Sequence, residues 1–422
     1  MIRMKTNTRT TLPALCGVLA ITLSSLSSAA DWPQWRGIHR DGKSPETGLL
    51  KTWPEGGPKL VWTARELGGG YTTPSVVDGK IYGMGYRGDE EITWALDAAT
   101  GKEIWSTRTA PADRGMGYSE GPRCTPTVDG DQLYTLGAGG NLAALDRKSG
   151  KVLWTKQFVA DFGGKMMSGW GFSESPLIDG DRLVCTPGGS QGTMLALNKL
   201  TGEKLWQSAD ITDNAAYSSI MVVTLAGTRQ YVQLTDSNVF GVDPEKGTLL
   251  WKAVRKGRTA VIPTPVIDGD IVYVTSGYGV GCNAFKVSRD GDKFKAEEIY
   301  NNKVMKNHHG GVVLIGEYLY GHSDASGWTC QNFKTGEAVW QERSKLGKGA
   351  IAYADGRLYC RFESEEGTLV LLEATPEGYR EHGRFDQPER SKKNSWPHPI
   401  IVDGRLYIRD QEVLLCYDVK AK

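Results

Sequence analysis

No two of the seven cysteines are adjacent, and none form a C-x-x-C pair, so neither a vicinal disulfide nor a paired-thiol metal or redox motif is encoded. Haem attachment is excluded on the same ground, since C-x-x-C-H is missing. There is no run of Lys or Arg and no basic stripe, which argues against nucleic acid as a partner. No apolar stretch reaches bilayer-spanning length. G-x-S-x-G, the P-loop and the dinucleotide fingerprint are also absent, removing three common catalytic frameworks. The six histidines show no H-x-x-x-H or H-x-E spacing.

The first thirty residues read as a secretory signal: Arg3, Lys5 and Arg9, then "LPALCGVLAITL", then "SSAA" before Asp31. Cleavage near Ala30 would leave a periplasmic or secreted chain. It would remove three of the 50 basic residues and none of the 49 acidic ones, leaving 47 against 49. Leu15 before Cys16 is too bulky for the usual lipoprotein signal, so no lipid anchor is expected.

What the chain does have is repetition. "ALDAATGKEIW" (95–105) returns as "ALDRKSGKVLW" (144–154), "ALNKLTGEKLW" (196–206), "GVDPEKGTLLW" (241–251) and "CQNFKTGEAVW" (330–340). A second signal, Asp-Gly or a degenerate X-Gly, places glycines at 79, 130, 180, 227, 269, 316, 356 and 404. A Tyr follows three or four residues later in every copy except the third, which has Val184. Each copy reads as two hairpins, the D-G turn joining the first pair of strands and the T-G turn the second. Four strands per period of 40 to 51 residues predict an all-β, eight-bladed propeller of four-stranded antiparallel blades. The eighth copy runs out of chain before its outer strand, whereas "PKLVWTA" around Trp62 is an outer strand with no blade before it. Pairing the two closes the ring and removes the exposed edges. The expected divisions are a signal at 1–30, an arm at 31–57 and a single propeller over 58–422.

The repeated spacing A-x-[DN]-x-x-[ST]-G-x-x-x-W resembles the tryptophan-docking motif of pyrroloquinoline-quinone (PQQ) type β-propellers. Ala95, Asp97, Gly101 and Trp105 match it; so do Ala144, Asp146, Gly150 and Trp154, and Ala196, Asn198, Gly202 and Trp206. Trp62, Trp251 and Trp340 continue the series. The resemblance covers roughly 62–418 and implies a structural girdle in which each indole lies between its own Ala and the turn of the next blade. Cys330 and Cys416 fall in the Ala slot and Cys282 two residues before it, which reads as small buried side chains.

Function is expected on the face opposite the short hairpins. There lie "APADRGMGYSEGPRC", "VADFGGKMMSGWGFSE" and "RFDQPERSKKNSWPH", long loops on a rigid scaffold. Residues entering the inner strands should ring the channel mouth: Tyr71, Arg123, Glu174, Tyr217, His308 or His309, Lys348 and His398. The resemblance offers two functions. One is a PQQ- and Ca²⁺-dependent dehydrogenase of an alcohol or sugar. It would use Glu174 as metal ligand, Asp324 as base and Arg123 on a quinone oxygen, with Trp328 and His398 as further cofactor contacts. The other is a cofactor-free scaffold, like the propeller lipoproteins of outer-membrane barrel assembly, binding an envelope protein or a small polar ligand. The missing Cys-Cys pair, the missing haem site and the shorter length favour the scaffold, with no cofactor. Trp32, Trp35 and Trp53 are expected to pack the arm onto the ring.

Overall fold

The computed structural model describes Met1, residues 31–364 and residues 366–422, so the expected signal lies outside the described residues. Eight sheets follow one another around a ring: blades 1 to 8 span 75–111, 127–157, 177–207, 221–254, 266–302, 312–342, 349–385 and 400–418. The last blade has three strands of its own, and Lys59–Ala64 completes it from outside, antiparallel to Val413–Asp418 with Trp62 opposite Cys416. The ring is an all-β, eight-bladed propeller closed by its N-terminal strand. One short helix, Phe158–Phe162, interrupts the β structure among the described residues.

Cross-strand register explains the repeat. Tyr82 faces Ala95, which faces Trp105; the same row recurs as Tyr134–Ala144–Trp154, Tyr320–Cys330–Trp340 and Tyr407–Cys416–Trp62. A small central residue lets phenol and indole meet over it, with ring centroids 5.9–6.3 Å apart. This is why two cysteines stand in an alanine position; all six described cysteines are buried and free. In every blade the register slips here, a bulge that turns the outer strand; in blades 1, 2, 3, 6 and 8 it aims the indole at the next blade.

There the indole N–H finds a backbone carbonyl: Trp62 to Ala98, Trp105 to Arg147, Trp154 to Lys199, Trp206 to Pro244 and Trp340 to Thr375, all at 3.0–3.2 Å. Gly101 shows why the turn ends in glycine: its φ is +70°, and an added Cβ would sit 2.6 Å from a ring carbon of Trp62. The Asp97 carboxylate accepts the Thr100 amide (2.9 Å) and hydroxyl (2.8 Å), closing the turn. Three junctions depart from the rule, those after blades 4, 5 and 7. Blade 5 has a long hairpin, Gly281–Asp290 with Lys293–Asn302, in place of the T-G turn, so Trp251 donates to Gln230 in its own blade (2.5 Å). Tyr300 then takes the indole's part, its hydroxyl donating to Phe333 O (2.7 Å).

The arm enters the central channel. Each innermost strand is a sheet edge whose unpaired N–H and C=O groups face that channel. Trp32 bridges Val76 and Pro33 O accepts from Val128 N, engaging blades 1 and 2. Arg40 donates to Ser175, Pro176 and Ile220 carbonyls (2.6–2.9 Å), Trp35 to Thr264 Oγ1 (2.9 Å) and Arg36 to Val312 O (2.6 Å), reaching blades 3 to 6. Lys43–Ser44 add a parallel strand to blade 7, and Leu49 bridges Lys420 past blade 8. Burial lowers both guanidinium pKa values to about 10, which leaves them cationic at neutral pH.

Candidate functional site

With the arm inside the channel, the long-loop face ends in a pocket rather than a pore. It holds about 980 Å³, counting the part open to solvent. Residues just before the inner strands supply its wall, among them Tyr71, Arg123, Ser173, Tyr217, His308, Lys348 and His398; Trp35 of the arm lies beneath. Three long loops then lean over it, each bringing one aromatic: Tyr118, Trp170 and Trp396. Tyr118 touches both others edge-on, at 5.7 Å from Trp170 and 4.8 Å from Trp396. Tyr71 stacks on Trp396 (4.3 Å) and Tyr217 on Trp170 (6.1 Å).

Polar groups hold these rings in place. The Arg123 guanidinium donates to the carbonyls of Gly117 (2.9 Å), Tyr118 (2.7 Å) and Gly121 (3.2 Å) and lies over the Tyr71 ring. It thereby fixes Tyr118, whose φ is +56°. Glu363 accepts from Lys348 Nζ (2.9 Å), from Trp396 Nε1 (3.0 Å) and from His309 Nε2. Burial alone would raise the Glu363 carboxyl; His309 and Lys348 outweigh it and hold the pKa at about 2. His309 is buried, which pulls its own pKa down despite Glu363. The pair at neutral pH is therefore a carboxylate facing a neutral imidazole that donates through Nε2. Beside it, Tyr278 Oη meets His308 Nε2 (2.8 Å), His308 Nδ1 lies 3.5 Å from Asp324 Oδ2, and the Tyr278 amide donates to that same oxygen (3.2 Å).

Of the residues expected from sequence, Arg123 and His398 line the pocket. Asp324 stands one contact behind it, through His308. Glu174 and Trp328 are not part of the lining. Glu174 is 2 % exposed, its side chain accepting from Thr186 N and from Gln233 Nε2 (3.4 Å); burial raises its pKa to about 7. Trp328 is buried with its Nε1 on Gly347 O (3.1 Å). His398 edges against Trp35 at 4.7 Å, and burial drives its pKa down to about 3. Sequence reasoning missed Tyr118, Trp170, Trp396 and Tyr278. The available signal was one aromatic among Gly and Ser in each long loop: "GYSEG", "GWG", "NSWP".

These donors do not fit a Ca²⁺-bound quinone. The carboxylates near the pocket are engaged: Glu363 by Lys348, His309 and Trp396, Asp324 by His308 and a backbone amide, and Glu174 behind the wall. Among the described residues no three His, Cys, Asp or Glu side chains converge as a metal site. Calcium needs six or more oxygens.

The family model described as outer membrane protein assembly factor BamB matches residues 88–342, more than half of the chain. The chain belongs to this family of PQQ-like propellers. A relative from Shewanella oneidensis, named outer membrane protein assembly factor BamB, is 27% identical over 237 residues, which span 52% of this chain and 56% of that protein. Among solved structures, BamB from Moraxella catarrhalis superposes with a TM-score of 0.62 at 14% identity, covering 86% of this chain and 98% of the other. Quinohemoprotein alcohol dehydrogenase from Comamonas testosteroni gives 0.65 at 12% identity, covering 93% and 81%. At such identities the likeness is one of fold, and it embraces both named functions.

Proposed function

We propose that the protein is a non-catalytic binding propeller of the cell envelope, with the aromatic pocket of the long-loop face as its ligand site and no bound cofactor. The carrying observation is that each carboxylate at or behind this pocket already has a protein partner, while aromatic rings make up much of its lining and several neutral polar groups there have no hydrogen bond to a described residue. Such a site can hold a small polar ligand and offers no oxygen cage for calcium. Placement in the envelope, after removal of the first thirty residues, is supported by the apolar run before Ala30 and by relatives named for outer-membrane assembly. An envelope protein is the further partner this reading allows.

The test is incubation with PQQ and Ca²⁺, desalting, and a spectrum. The expected result is no retained quinone absorbance and no dye-linked oxidation of alcohols or sugars. Retained quinone with turnover would replace this reading by a PQQ-dependent dehydrogenase.

A further inference from the structure

We infer that the pocket binds a neutral saccharide, taking the end or face of an oligosaccharide of two or more rings; this rests on the binding reading above and names its ligand class. Charge narrows the choice first. An incoming cation would meet Lys348 and Arg123 and find no carboxylate free of a protein partner. An incoming anion would find Lys348 closed on Glu363 (2.9 Å) and both terminal nitrogens of Arg123 engaged, by backbone carbonyls and the Met116 sulfur. Opening the Lys348–Glu363 pair would leave the buried carboxylate without its cation, a cost that a surface ion pair does not carry.

What stays open is neutral. The Tyr118 hydroxyl, the Trp170 indole N–H and the Asn394 amide make no hydrogen bond to any described residue, and all three border the pocket. They stand around two stacked aromatic pairs, Tyr71 with Trp396 and Trp170 with Tyr217. A pyranose presents this combination in reverse: a C–H face that lies on a ring, and hydroxyls along its edge that both donate and accept. A purely apolar ligand would cover the rings and strand the three polar groups without water.

Backbone conformation adds an independent mark. Tyr118 and Tyr278 have φ of +56° and +55°, a region bulky residues seldom adopt. Both are held there by named bonds, Tyr118 through Arg123 and Tyr278 through Asp324, and both present their rings to the pocket. Strain of this kind gathers where a surface must hold one shape for a ligand.

The experiment applies the purified chain to a printed array of neutral gluco-, manno-, xylo- and N-acetylglucosamine oligosaccharides beside uronate and sulfated ones. Titration calorimetry with the best neutral binder follows. Neutral spots should bind, Trp170→Ala should weaken binding about tenfold or more, and Asn394→Ala should weaken it less. Both variants should melt with the parent, because each side chain sits half-buried in a loop. Absence of binding to any neutral spot overturns the proposal, as does neutral binding that survives Trp170→Ala. Binding confined to acidic spots and lost in Trp170→Ala would overturn the saccharide class while leaving the pocket a binding site. Quinone retention with turnover would overturn both.

Discussion

Two junctions of the ring solve one problem with different parts of the chain. Between blades 3 and 4 the indole is local: Trp206 leaves the outer strand of blade 3, donates to Pro244 O and lies where a Cβ on Gly247 would come within 2.4 Å. Between blades 7 and 8 the repeat has no indole to give. Tyr379 turns back against Trp340 of blade 6 (6.1 Å). Trp53 of the arm instead packs edge-on to Phe385 (5.2 Å) and Tyr359 (5.8 Å) and joins a core with Leu406, Leu415 and Tyr417 of blade 8. The slot between blades thus demands a large buried ring, and any segment that reaches it can supply one. At the seam of the ring, that segment is the one that also completes blade 8.

The comparison breaks most severely if the arm is removed. Deleting residues 31–57 while keeping Lys59–Ala64 should cost about 5 kcal/mol or more, because it uncovers inner-strand carbonyls and empties the blade 7–8 slot together. Thermal melting against the full chain measures it, and an unchanged midpoint would make the arm an ornament. Next come the single rings: Trp206→Ala and Trp53→Ala should each lose about 3–5 kcal/mol in denaturant titration. If Trp53→Ala costs under about 1 kcal/mol, it is not the counterpart of Trp206.

A smaller effect sharpens the rule for the turn. Gly101→Ala meets both a positive φ and the Trp62 ring, whereas Gly316→Ala, at φ +57°, meets nothing within 4 Å. The first should cost about 2–3 kcal/mol and the second about 1, the difference being the contact with the indole. Last comes a pH effect in blade 1, at a carboxylate other than the pocket's own. Glu91 is 1 % exposed and faces no paired cation; burial raises its pKa to about 8. The folded chain then keeps a proton that the unfolded chain releases above 4.5. Its contribution is full below about pH 4.5 and declines as pH rises toward 8. Glu91→Gln, neutral throughout, should melt close to the parent at pH 5 and outlast it at pH 8.5, with a gap that widens as pH rises between the two. Glu363, held at about 2 by His309 and Lys348, has the opposite sign: it stabilises above pH 4.5 and loses that as pH falls toward 2.

Much of the ring was legible along the chain. The Tyr, the small residue and the Trp recur because three adjacent strands must present one row, and a row imposes a fixed spacing. Cys330 and Cys416 were readable as buried small residues for the same reason. The pocket was legible only in part. Arg123 and His398 could be placed at the mouth because each stands two to four residues before an inner strand. Glu174 has that offset too, yet its side chain accepts from Thr186 and Gln233 behind the wall, a choice of rotamer that no spacing records. Tyr118, Trp170 and Trp396 sit in loops without a period, so nothing in the sequence states that they meet.

Repetition of turn glycines, tyrosines and tryptophans was enough, by itself, to determine an eight-bladed ring and the strand that shuts it, since each blade is built from contacts close in sequence. Tertiary structure alone decided that the arm threads the channel and bonds to all eight blades, that Trp53 covers the last junction, and that the channel ends in an aromatic pocket with its carboxylates engaged. Those outcomes depend on contacts between residues hundreds of positions apart, whose free energy exists only once the ring has closed around them.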